Sequence, residues 1–204
     1  MESTQSAEAE IIELFVKNAM HVGSKVKVKH AEKFIFKLRQ DGIYLIDIKK
    51  TIERLNIAAK FISYFPPEKV AVVSTHVYGI RAVQRFCELT GCIPVVQKIR
   101  SGMFTNRVLK YYIEPQLVLV SDPRYDAQAI KEAAIARIPV IAFCSTDNML
   151  SNIDLAVPIN NRGKSSLPYA FWYLAKRVLM ERGLLTPEKE AEILPESFMP
   201  TSVT

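Results

Sequence analysis

Short apolar runs alternate along this chain with helical segments of roughly 10 to 16 residues, and that rhythm constrains the fold more than any other feature. Residues 70–74, 117–121 and 140–144 are apolar runs, broken only by Ser74 and Ser121 at their ends, the pattern of strands covered on both faces. Ile52, Leu55, Ala58, Ala59, Ile62 and Phe65 recur at threes and fours and read as a helix closed by Pro66 and Pro67. Residues 80–89 read as a second helix stopped near Gly91, 127–137 as a third, and about 167–182 as a last one with Gly183 as its stop. Residues 155–157 suggest a further short strand. Strands joined through helices need right-handed crossovers. The expectation is therefore a doubly wound α/β fold of flavodoxin or Rossmann kind, with a parallel sheet between helix layers.

The ends differ from this body. Residues 6–17 place Ala9, Ile12, Phe15 and Val16 at helical spacing behind several glutamates, an amphipathic N-terminal helix. Residues 21–30 are too polar and alternating to bury a face and read as a basic loop. Residues 34–39 alternate apolar with basic, Asp41-Gly42 makes a turn, and 43–48 reads as a strand covered on both faces. From Thr186 onward prolines and glutamates show no periodicity. The division expected is one α/β domain over residues 1–185 and an extended tail over 186–204.

A hydrophobic content of 49% is enough to fill a core, and no run approaches the roughly 18 apolar residues of a membrane span. The acidic start (Glu2, Glu8, Glu10, Glu13) is unlike a signal peptide. A cytoplasmic protein that makes no membrane contact is expected. Cys87, Cys92 and Cys144 are odd in number and form no C-x-x-C pair, so they read as buried thiols in a reducing compartment. Net charge is +6, but residues 17–182 hold 26 basic and 13 acidic side chains, a net of +13. A field of that sign favours an anionic polymer, nucleic acid first.

The seven glycines spell neither G-x-G-x-x-G nor a phosphate loop, so no nucleotide cofactor is expected. Asp47, Asp122, Asp126, Asp147 and Asp154 fall near strand ends. As a set they suggest a competing reading, a magnesium-dependent phosphate or nucleotide enzyme using Asp47, Asp122 and Asp147. As individuals they read as helix caps and turn residues. His76 has no visible catalytic partner and reads as a loop or capping residue. The aromatic group Tyr169, Phe171, Trp172 and Tyr173 sits at helical spacing and reads as core, with an interface to a protein neighbour as the alternative for part of it.

Four loops concentrate groups suited to phosphate. The first carries Lys25, Lys27 and Lys29; the second Arg100, Thr105, Asn106 and Arg107; the third Arg124; and the fourth Asn160, Asn161, Arg162 and Lys164. With no RNP motif, zinc-finger spacing or helix-turn-helix, the expected target is folded RNA, recognised by phosphate and shape. A third reading is a protein-docking module that works through the acidic ends.

Several strings then align in order across roughly residues 10 to 183: His21-Val22-Gly23-Ser24; the run from Asp41-Gly42-Ile43-Tyr44 to Lys49-Lys50-Thr51; Gly102 to Asn106; Asp122-Pro123-Arg124 with Asp126 and Gln128; Asn152-Ile153-Asp154; and Asn160-Asn161-Arg162-Gly163-Lys164-Ser165. The combination resembles the small-subunit ribosomal protein two family in its archaeal and eukaryotic (SA) type. The bacterial coiled-coil insertion and the long acidic C-terminus of animal members have no counterpart here. The resemblance implies a noncatalytic constituent of the small ribosomal subunit, without cofactor or small-molecule substrate, that binds ribosomal RNA and neighbouring ribosomal proteins. Two strings depart from the family pattern: Met103, Phe104 and Arg107 replace residues of a Gly-Thr-Leu-Thr-Asn-Pro segment, and Ser145 stands where the family has Asp.

Overall fold

The computed structural model describes residues 2–200, the side chains of residues 2–9, 187 and 188 excepted. Helix α1 (Glu2–Lys17) leads to a loop and a hairpin of β1 (Ile35–Leu38) and β2 (Tyr44–Ile46). Then follow α2 (Ile48–Ser63), β3 (Val70–Ser74), α3 (Val77–Thr90), β4 (Ile93–Val96), β5 (Leu117–Val120), α4 (Ala127–Ala136), β6 (Val140–Cys144), β7 (Leu155–Pro158), α5 (Ser166–Glu181) and α6 (Pro187–Glu192). The main sheet has the order β4-β3-β5-β6-β7 with every neighbouring pair parallel. The first of its strands in the chain is second in space, so the order reverses between β3 and β5 as in flavodoxin-like folds. The doubly wound α/β class is correct.

Strand alternation divides the core. Val70, Val72, Leu117, Leu119, Ile141 and Phe143 face α2, α3 and α5, where Phe86 and Phe171 are fully buried. Ala71, Val73, Val118, Val120, Val140 and Ala142 face α4 and the loop 97–116. That loop replaces a crossover helix: it seats Ile99 and Phe104 in the core. Glu132, buried on α4, accepts its Gly102 and Phe104 amides at 2.7 and 3.0 Å.

Four expectations change. β4 went unseen in the sequence because Pro94 interrupts its apolar run; it is the sheet edge, where a missing N–H leaves no ladder bond unmade. Residues 43–48 are not a strand covered on both faces: Tyr44 and Leu45 are half-buried, β2 lies outside the main sheet between β1 and the loop that bridges to it at Val22, and Ile48 already starts α2. On α1, Phe15 is buried edge-on against Tyr173 at 5.3 Å while Val16 is exposed; the Ala9 side chain and the glutamates before it lie outside the described residues. The segment from Thr186 is not extended over its described length. It forms α6 and a 3-10 turn, Ile193 and Phe198 are buried against α3 and α5, and the Trp172 indole donates to the Ile193 carbonyl at 2.8 Å; residues 201–204 lie outside the description. Gly183 ends α5 with φ +66°, as placed.

Candidate nucleic-acid interface

The carboxyl ends of the sheet strands gather most of the polar side chains singled out from the sequence. The loop carrying Lys25, Lys27 and Lys29 is strapped over the end of β6, where Ser24 N donates to Thr146 Oγ1 (2.9 Å) and Val28 N to the Thr146 carbonyl (2.9 Å). Lys25 and Lys29 project outward; Lys27 pairs with Glu32. Arg124 is exposed after β5, and Lys164 is exposed before α5.

The remaining residues of the last loop, expected to contact RNA through the Arg162 cation and supporting hydrogen bonds from Asn160 and Asn161, have partners inside the protein. Asn161 is fully buried and donates to the Phe143 carbonyl and Asn148 Oδ1. Asn160 Nδ2 ties to the Ala19 carbonyl at 3.1 Å. Arg162 is clasped by two carboxylates, Asp122 at 3.3 Å and Asp147 at 2.9 Å.

The crevice between β3 and β5, where open α/β sheets bind ligands, is filled by protein. Asp126, buried, accepts from Thr75 N (2.8 Å), Thr75 Oγ1 (2.7 Å), Ser121 Oγ (2.9 Å) and Asp122 N (3.2 Å). Burial pushes its carboxyl above the ordinary 3.8, the Thr75 and Ser121 donors opposing. Asp47 is an ordinary helix cap, accepting from Lys49 N on α2, and Asp154 accepts from Val140 N. Among the described residues no three His, Cys, Asp or Glu side chains form a metal cluster.

His76 caps α3, its Nδ1 accepting from Tyr78 N at 3.3 Å. Burial holds its pKa below 6.5, Arg162 assisting, with Asp122 and Asp126 opposing. A depressed histidine pKa contributes stability above the unfolded value that is lost as pH falls through the folded value. Protonation at Nδ1 also removes the cap acceptor. The wild-type chain is therefore expected to lose stability below 6.5 faster than His76→Asn, which keeps a pH-independent cap; denaturant titrations in that acid range check it, and parallel curves would refute it.

The second loop separates from the rest. It descends along α4, so that Thr105 and Arg107 reach the opposite end of the strands. There they line a cavity of about 610 Å³ with Lys69 and Arg137. Arg107 pairs with Glu114 at 3.0 Å, Asn106 Oδ1 accepts from Val108 N, and Arg100 stacks over the Tyr111 ring at 5.1 Å.

A third concentration escaped the sequence reading. Lys29, His30, Lys33 and Arg54 line a groove of about 640 Å³ beside edge strand β7. Lys33 Nζ and the Arg54 guanidinium both lie over Phe34, 5.0 and 5.5 Å from its ring centre. The carboxylate lining this groove, Asp154, already accepts from Val140 N at 2.8 Å. Arg54 lies in the second turn of α2, and one-dimensional pattern cannot place it beside residue 33.

Comparison with known proteins agrees in extent with this fold. A family model described as ribosomal protein S2 matches residues 15–114 and 108–179. Proteins named small ribosomal subunit protein uS2 from Staphylothermus marinus and Thermofilum pendens are 43% and 46% identical over 187 residues, 92% of this chain and 85% and 87% of theirs. The protein of the same name from Saccharolobus solfataricus is 41% identical over 203 residues, 97% of this chain and 88% of its own.

Proposed function

The chain belongs to the ribosomal protein S2 family, and from that premise we propose that it is a noncatalytic structural constituent of the cytoplasmic small ribosomal subunit, associating there with ribosomal RNA and neighbouring ribosomal proteins. The observation that carries this reading is the match, over 92% of the chain, to relatives bearing that name. Among the described residues no helix is long and apolar enough to cross a membrane.

The RNA-facing groups proposed from the structure are the outward cations Lys25, Lys29, Arg100, Arg124 and Lys164, joined by Lys33, Arg54, Lys69 and Arg137. Thr105, exposed at the far edge, supplies a neutral donor, whereas Asn106, Asn160, Asn161 and Arg162 shape the loops that present these groups. Lys27 and Arg107 reach phosphate only by giving up Glu32 and Glu114. Cations gathered around one groove repel one another, and a polyanion relieves that repulsion while releasing its counterions. The enzyme alternative has no observation in its favour: Asp47 caps a helix, Asp122 and Asp147 clasp Arg162, and the switch-point crevice is occupied by Asp126.

A tagged copy in cell extract is expected to sediment with small subunits on a sucrose gradient and to stay with them through a high-salt wash. Migration as free protein would overturn the proposal. For the groove, Lys33→Gln with Arg54→Gln is expected to lower the slope of log affinity against log salt by about one per cation removed, with folding stability unchanged. An unaltered slope removes that groove from the RNA-facing surface.

A further inference from the structure

The carboxyl edge of the sheet also presents an aromatic surface that the core does not use. His76 lies between Tyr78 and Tyr125, its ring centre 5.3 Å from each. Tyr125 is 55% exposed, Tyr78 36%, and Val77 beside them 64%. Neither tyrosine hydroxyl bonds to another described residue. Both rings are exposed next to the topological switch point, and neither belongs to the buried core.

Their position is nevertheless fixed. Tyr78 stands in the first turn of α3, directly after the turn leaving β3, and Tyr125 in the turn leaving β5, and Asp126 ties the two turns together by accepting from Thr75 on one and from Ser121 and Asp122 N on the other. Gly79 lets α3 press against the end of β3: a Cβ there would come within 2.1 Å of Ser74 Oγ and 3.1 Å of Leu167 Cδ2. The rings thus sit on a braced support, which reduces the ordering cost of binding. The charge around them has one sign. Arg81 and Arg124 are exposed, whereas the carboxylates of these turns, Asp122 and Asp126, are buried and occupied.

We propose that His76, Tyr78 and Tyr125 form a stacking platform for an unpaired RNA base, with Arg124 holding the adjoining phosphate. This rests on the RNA-binding role proposed above. Unstacked bases are recognised on aromatic faces largely without regard to sequence, and a cation beside the ring supplies the backbone contact. The surface therefore adds a stacking site to a protein whose other cationic loops can read only phosphate and shape.

Two measurements test it. In the full-length chain, Tyr125→Ala and Tyr78→Ala are each expected to weaken binding of a short, unstacked oligouridylate by about tenfold without changing its salt slope, Tyr→Phe restoring affinity; Arg124→Ala is expected to lower the slope by about 0.7. Alanine variants that bind like wild type, or a wild-type chain that leaves the oligonucleotide unbound, overturn the platform. In small subunits assembled with a photo-crosslinking residue at Val77, the crosslink is expected to RNA. A crosslink to protein alone overturns the platform in favour of a protein contact while leaving the ribosomal reading intact; failure to co-sediment with subunits overturns both.

Discussion

Replacing Arg162 with methionine is expected to destabilise the fold by about 3 kcal/mol, because it strands a buried carboxylate. Asp122 is fully buried. Its Oδ1 is satisfied by Arg124 N at 2.8 Å and Asn148 Nδ2 at 3.1 Å, but Oδ2 faces the Arg162 Nε at 3.3 Å. The guanidinium also reaches Asp147, spanning the turns after β5 and β6 from the turn after β7. Arg162 is about a third exposed, so the expected cost sits at the lower end of the range for breaking a buried pair. Lysine should recover only part of the loss, since a single ammonium cannot bridge both carboxylates in fork geometry. Combining Arg162→Met with Asp122→Asn should recover more, because the fully buried charge is then gone and only Asp147, which keeps some contact with solvent, is left without its partner. Denaturant unfolding of the four proteins gives the answer. A single variant within about 0.5 kcal/mol of wild type would show the clasp to be dispensable. Lys164→Glu, at an exposed unpaired position, makes the contrast: stability unchanged, RNA affinity reduced.

That contrast marks what can be read from one dimension. The strand–helix rhythm displays the sheet because strands buried on both faces are apolar along nearly their whole length, as in Val70–Ser74, polar only at its last residue, and Val140–Cys144. Helix stops at Gly91 and Gly183 and the capping role of His76 follow from local chemistry and are equally legible. Arginine, by contrast, looks the same in sequence whether it faces solvent or a buried aspartate forty positions earlier, and so Arg162 reads as a loop cation. Asn161 reads likewise, although it hydrogen-bonds the Phe143 carbonyl from inside the protein. The groove around Lys33 and Arg54 and the rings of Tyr78 and Tyr125 each join residues from separate elements, so no spacing rule connects them. Pro94 hides an edge strand because a proline argues against a strand unless the outer side is known to be empty.

Asp126→Ala should be similarly costly, about 3 kcal/mol, since it leaves the Thr75 and Asp122 amides without an acceptor in a buried crevice. Asp126→Asn should cost less. One amide oxygen can still serve Thr75, and Ser121 can rotate its hydroxyl to accept from the new NH2; the Asp122 amide, whose bond at 3.2 Å is the longest of the four, loses its partner. The two substitutions also separate the carboxylate's geometry from its charge. Burial raises the Asp126 pKa, so the folded state holds this proton more tightly than the unfolded chain does. The associated stability is complete below 3.8 and is lost as pH rises through the folded value. The advantage of wild type over Asp126→Asn should therefore shrink as pH rises from about 4 toward neutrality, in unfolding curves measured at each pH. A gap that widens with pH would mean that the four donors outweigh the desolvation. Because Asp126 also binds the turn of Tyr78 to the turn of Tyr125, the alanine variant should reduce the Val77 crosslink to RNA although every exposed residue is unchanged. Loss of stability with the crosslink intact would show that the rings keep their places without the clamp, each turn being held by its own helix.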